Sequence, residues 1–214
     1  MKIVKAGYEI LDNLDGEAIL KKIERIARVC YKSEDKITEG SAEKMVASLI
    51  KRRHEAMLEH YSFSVKFICD RGVSHELVRH RVASFAQEST RYCNYGHEGE
   101  ITVIFPFFFD TGMGTASNSL VYEEWKHSCE VAERKYISLL DKGATPQEAR
   151  SVLPNSLKTE VVMTANLREW RHFFKLRAVG VTGKPHPQMQ EVVVPLLQEV
   201  KRLIPVVYDD LEVE

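Results

Sequence analysis

An α+β fold in one domain spanning residues 1–214 is what this sequence predicts, and three observations predict it. Helical periodicities outnumber strand-like alternations along the chain. The two kinds do not alternate strictly, which argues against a doubly wound parallel sheet. No Pro/Gly/Ser-rich linker and no internal repeat divides the 214 residues, a length that buries a sizeable core as one unit.

Taken in order, residues 2–11 read as a short strand pair or an edge strand. Residues 16–31 follow as a helix, because Ile19, Ile23, Ile26 and Cys30 recur three and four apart. Residues 41–53 read as a second helix with Met45, Leu49 and Ile50 on one side. The clearest strand is 61–69, where Tyr61, Phe63, Val65, Phe67 and Cys69 alternate with Ser62, Ser64, Lys66 and Ile68. A short helix is expected around 73–80, and a strand over 100–105 that Pro106 stops. Residues 117–141 form a long amphipathic helix on Tyr122, Trp125, Cys129, Ala132, Tyr136 and Leu139. Thr145, Pro146 and Glu148 open the next helix with a capping box. Leu157, Thr159, Val161 and Met163 alternate in a strand over 156–164. Asn166 then caps a helix to about Arg177, and a last helix spans roughly 187–203 on a stripe from Met189 to Leu203.

Thirty basic residues against thirty-one acidic ones give a net charge of −1, which argues against broad binding to nucleic acid or a membrane surface. Cys30, Cys69, Cys93 and Cys129 are scattered, with no CxxC pair and no zinc-ligand spacing, the pattern of a reduced, cytoplasmic protein. No signal peptide and no bilayer-spanning stretch is expected. There is no Gly-rich phosphate loop, so a dinucleotide would bind without a Rossmann fingerprint.

Chemistry concentrates in two stretches. RHRVASFAQESTRY, residues 79–92, packs three arginines, a histidine, two serines, Gln87 and Glu88 together. If its second half is extended, Gln87, Ser89 and Arg91 share one side, a set suited to a phosphate or a base. If Arg79 and Arg81 end a helix, they point to nearly opposite sides and serve two ligands, or one each in neighbouring subunits. A solvated basic turn is an equal alternative on residue types alone. In NLREWRHFFKLR, residues 166–177, the apolar stripe of Leu167, Trp170, Phe173 and Phe174 is continued by Arg177. An arginine there needs an anion or an acceptor, and a protein carboxylate is the commoner partner. Arg168 and His172, four apart, share another face.

Two metal readings fail on geometry. HEAMLEH and HELVRH resemble a zinc-protease helix, but their histidines stand six and five apart instead of four. Metal-binding residues are therefore not expected. A GxSxG elbow is also absent.

The RHR…S pattern of Arg79, His80, Arg81 and Ser89, followed by Arg91 and Tyr92, resembles the motif of flavin-dependent thymidylate synthases. HEAMLEH, residues 149–177 and HPQMQEV resemble further segments of that family in the right order, covering about residues 15–204. The resemblance implies an α+β subunit with a mostly antiparallel sheet and packed helices, assembled as a homotetramer with shared active sites. It implies conversion of dUMP to dTMP, with methylenetetrahydrofolate as carbon donor and FAD reduced by NADPH or NADH. By motif position, Glu76, Leu77, Val78, Arg79, Gln87, Glu88, Ser89, Thr90, Arg91, Arg150 and Arg177 would hold dUMP, and Arg177 would polarise the uracil as the catalytic residue. His54, Ala56, Arg79, His80, Arg81, Gln87, Asn166, Leu167, Arg168 and His172 would contact FAD. Ala56 stands where many members of that family have a Ser or Thr, Gln87 where some have Glu and others Gln, and Glu76 where Gln is frequent. Two rival readings are a nucleotide-binding relative without catalysis, and an interaction protein whose basic motif pairs with acidic partners.

Overall fold

The computed structural model of the chain describes residues 1–97, 99–109 and 116–213. Among them the strands are β1 (Lys2–Val4), β2 (Gly7–Ile10), β3 (Ser62–Asp70), β4 (Ala83–Gln87), β5 (Thr102–Ile104) and β6 (Lys158–Asn166). The α-helices are α1 (Gly16–Val29), α2 (Ser41–Lys51), α3 (Arg71–Leu77), α4 (Ala116–Asp141), α5 (Pro146–Ala149), α6 (Leu167–Phe174) and α7 (Pro187–Leu203). A four-stranded sheet has the order β2-β3-β6-β4, and β1 pairs in parallel with β5. The register of the larger sheet is antiparallel: Leu167 N–H bonds to Tyr61 O, Ser64 Oγ meets Thr164 Oγ1, and Arg71 N–H bonds to Asn155 O, so one number rises as the other falls. The α+β expectation is met.

The chain forms two compact units. The first comprises Met1–Gly7, Phe67–Arg79 and Ala86–Val162. Its core joins Cys129 and Tyr136 of α4 to Ile101, Val103, Ala149 and Leu157. The helix expected from Thr145 shrinks to α5 and a 3₁₀ turn at Arg150–Val152. Its cap is present, for Glu148 Oε2 accepts from both the N–H and the hydroxyl of Thr145 at 2.8 and 2.7 Å. What ends it is Pro154, which forces Leu153 into an extended conformation (ψ 141°).

The second unit comprises Tyr8–Lys66, His80–Phe85 and Met163–Glu214. Its centre is aromatic: Trp170 stacks on Phe63 at 4.9 Å and meets Phe173 and Phe174 at 5.4 and 5.7 Å. The Trp170 indole N–H donates to Phe63 O at 3.2 Å, so the ring is buried with its one donor satisfied. The α7 stripe is buried as expected, from Met189 through Val200. Arg171 is only 1% exposed, yet it is held by a two-pronged bond to Asp210 at 2.7 Å on each prong, by Glu55 at 3.3 Å and by Val207 O. A charge so enclosed is tolerable only with that many acceptors.

Two stripes differ from expectation. On α2 the buried residues are Ala42 and Val46, while Met45, Leu49 and Ile50 are only half-buried. On α1, Ile19 and Ile23 are buried but Ile26 is partly open and Cys30 exposed. In both helices the face turned to the core is rotated from the one the apolar residues suggest.

Candidate active site

The first cluster lies within the second unit and is built on α6. Asn166 ends β6 extended, and its side chain accepts from Glu169 N–H at 2.9 Å, starting α6 at once. Leu167, Trp170, Phe173 and Phe174 turn inward. That rotation leaves Arg168 and His172 on the open side, where they line a cavity of about 430 Å³ with Asn166, Glu55, Glu59 and Lys175. Val82 and Glu169 complete its wall. Arg168 donates to Glu59 at 2.6 Å, both side chains about half exposed. Such a pair is worth little and yields to a ligand.

Past Phe174 the backbone changes pitch. Lys175–Val179 winds as a π-helical turn ended by Gly180 in the left-handed region, a geometry often found at functional sites. Arg177 sits in this turn. Its Nε–H donates to His80 Nε2 at 3.1 Å, joining residues 97 apart in sequence. Guanidinium groups only donate, so His80 Nε2 is the bare nitrogen and the ring proton is on Nδ1. Nδ1 faces Glu169 Oε1 at 3.5 Å. Burial, reinforced by the Arg177 and His172 charges, drops the His80 pKa from 6.5 to about 4. Burial raises the Glu169 carboxyl as well. His80 is thus a neutral acceptor at pH 7, clamped edge-on against Phe173 at 4.9 Å.

The second cluster lies within the first unit. Arg150 donates to Thr90 Oγ1 at 3.1 Å, and both line a cavity of about 340 Å³ with Arg71, Ser151 and Leu157. Nearby in sequence, the chain departs from the extended reading of 87–91. β4 stops at Gln87, and the N–H groups of Tyr92 and Cys93 both bond to Ser89 O, at 3.1 and 2.9 Å. Ser89 Oγ accepts from Arg91 N–H at 3.3 Å; this local bond stabilises a turn over a strand. Gln87, Ser89 and Arg91 therefore do not form a common face. Gln87 instead donates to Ser74 Oγ and Thr159 Oγ1 at 3.0 and 3.3 Å. Glu88 accepts from Tyr95 O–H at 2.7 Å and from Lys158 at 3.2 Å. Arg91 lies over the Tyr92 ring at 5.3 Å.

The other expected residues are dispersed. α3 ends at Leu77, so Arg79 and Arg81 lie beyond it, both exposed. Glu76 is half-buried and Val78 exposed. Leu77 and Leu167 are fully buried, which leaves only their backbone for a ligand. His54 and Ala56 are exposed at the start of the 3₁₀ turn Glu55–His60. Glu55, Glu59, Lys175, Val82 and Arg71 join these clusters without having stood out in the sequence. Glu55 and Glu59 stand inside HEAMLEH, where the histidine spacing drew attention away from the carboxylates.

Residues 11–206 match the family model described as Thymidylate synthase complementing protein. Curated relatives include a flavin-dependent thymidylate synthase of Corynebacterium efficiens, 34% identical over 204 residues, or 90% of this chain and 79% of that one. Another, from Pyrococcus furiosus, is 32% identical over 173 residues, 79% of this chain and 67% of the relative.

This chain belongs to the flavin-dependent thymidylate synthase family.

Among solved structures, a UMP/dUMP methylase PolB from Streptomyces cacaoi, bound with 5-Br dUMP, superposes with a TM-score of 0.83 over 98% of this chain and 96% of that one. At 24% identity it establishes a shared fold. Within the family's motifs, the RHR histidine and the last arginine of NLREWRHFFKLR are bonded to each other here.

Proposed function

We propose that this protein methylates dUMP to dTMP, taking carbon from methylenetetrahydrofolate and reducing equivalents from NADPH or NADH through FAD. The observation that carries the reading is the Arg177–His80 hydrogen bond, because it unites the two motifs that mark the family.

The donor set of the α6 cavity fits a flavin ring. Such a ring offers a polar edge with both donors and acceptors beside apolar surface. Here Arg168, Lys175 and His172 supply donors, Glu55 and Glu59 acceptors, and Val82 apolar area. When bound, FAD supplies hydride-transfer chemistry that side chains lack. Asn166, Arg168 and His172 would hold it, and His80 would adjoin it.

The protein's own work is orientation and charge. Arg177 would stabilise negative charge developing on the uracil ring, since a preoriented cation needs no reorganisation at the moment of reaction. Its orientation is supported by the His80 lone pair. Arg150, steadied by Thr90, is suited to the dUMP phosphate. These dUMP residues belong to both units, and the reading gathers them from neighbouring chains of a homotetramer.

The test is Arg177→Ala. It is expected to keep bound flavin, seen in the visible spectrum, and to lower dUMP-dependent turnover about 100-fold, the size of a lost charge-assisted contact made in the transition state. Near-normal turnover would remove Arg177 from the chemistry. A wild-type protein that takes up no FAD would remove the reading altogether.

A further inference from the structure

Between the C-terminal end of α1 and the length of α2 lies a groove of about 690 Å³. Its lining contains Arg28, Lys36, Lys44 and Arg52 and, among the described residues, no aspartate or glutamate. Arg28 is committed to Glu24 at 2.7 Å. Lys36, Lys44 and Arg52 have no ion-pair partner among the described residues, so their charges add within one concavity and raise its potential. The two helix ends do not explain all three: Lys44 stands near the N-terminal end of α2, where the helix dipole disfavours a cation.

The backbone at the rims is also unusual. Lys32 (φ 47°), Arg53 (φ 58°) and Val206 are the non-glycine residues with positive φ among those described. Two of these three stand at the groove, one between Tyr31 and Ser33, the other between Arg52 and His54, and all four of those neighbours line it. Left-handed backbone costs a side-chain-bearing residue about 1–2 kcal/mol and concentrates at functional sites. Tyr31 is 83% exposed, an aromatic face open to solvent. The half-buried Met45 and Leu49, which left the core face of α2, form apolar lining.

Unpaired cations, hydroxyls, one open aromatic ring and apolar lining together match an adenosine pyrophosphate. We propose that this groove binds the adenosine pyrophosphate half of the nicotinamide cofactor, with Lys36, Lys44 and Arg52 on the phosphates and Tyr31 against the adenine. The choice of that cofactor rests on the proposed function, which requires a reduced nicotinamide and does not place it. FAD carries the same chemical group and the groove is lined by His54, so retention or loss of flavin in the variants decides between the two cofactors.

The experiment titrates NADP⁺ calorimetrically into the flavin-loaded full chain at low salt, with Arg52→Glu, Lys44→Glu and Tyr31→Ala as variants. All three side chains are exposed, and circular dichroism checks that each variant is folded. Each charge reversal is expected to weaken NADP⁺ about tenfold or more, Tyr31→Ala severalfold, with FAD content retained. Unchanged NADP⁺ affinity overturns the proposal, as does a wild type that binds no NADP⁺. So does loss of FAD from the variants, which would give the groove to the flavin's own adenosine, and so does weakened binding of methylenetetrahydrofolate alone. Methylation of dUMP by the same wild-type preparation is assayed separately. Its absence would sink the proposed function, while a charge-dependent NADP⁺ site would survive it.

Discussion

His80 shows burial deciding a charge state. Its side chain is 3% exposed and bonded to a cation, so protonation would place two positive charges together away from water. An unfolded histidine takes a proton near 6.5, whereas His80 stays neutral down to about 4. The unfolded chain then binds more protons in that window, and stability falls as pH drops through it. The whole shift corresponds to on the order of 3 kcal/mol, of which about 2 kcal/mol is expected to be lost between about pH 7 and pH 5. Urea unfolding at both pH values checks this, with His80→Gln as the reference that keeps an acceptor for Arg177. If the variant has the same pH dependence as the wild type, His80 is not the group responsible. Residue types alone showed His80 as one member of a basic run, and the family resemblance assigned it to FAD. Neither its burial nor its partner 97 residues away has a local signal.

At the scale of the element, the π-helical turn after α6 is what aims Arg177. The sequence predicted a helix running to about Arg177, and α6 itself ends at Phe174. The cause lies beyond the helix. Gly180 closes the turn at φ 81°, and a methyl group there would sit 2.9 Å from Pro185 Cδ and 3.0 Å from Gly183 O. Neither neighbour is the end of a flexible side chain. Gly180→Ala is therefore expected to cost about 2 kcal/mol, lowering the thermal midpoint by about 4–8 °C. Turnover should fall further than stability explains, because the turn carries Arg177. A melt within a degree of wild type would show that the turn tolerates the side chain. The N-cap of α6, by contrast, was legible in Asn166 and Glu169, since capping uses neighbours three residues apart.

At the scale of the molecule, the residues read as a dUMP site belong to two compact units and carry different ties in each. Arg150 is steadied by Thr90 and Arg177 by His80. Sites completed by neighbouring chains are therefore expected. Light scattering should find a tetramer, and dilution into monomers should abolish dTMP formation. A fully active, monodisperse monomer would refute shared sites. No helix among the described residues is long and apolar enough to cross a membrane.

The sequence by itself determined the α+β class, the alternating strands β3 and β6, the α4 and α7 stripes, two caps and the family, because each depends on spacing along a few turns or on motifs in order. Tertiary structure alone decided which cations are satisfied. Arg171 carries no local signal of burial, yet it is enclosed by Asp210, Glu55 and a carbonyl. Lys36, Lys44 and Arg52, on separate segments, face one groove whose lining, among the described residues, holds no carboxylate. The physical reason is that electrostatic energy depends on distance and burial, and neither is encoded in the neighbours of a residue along the chain.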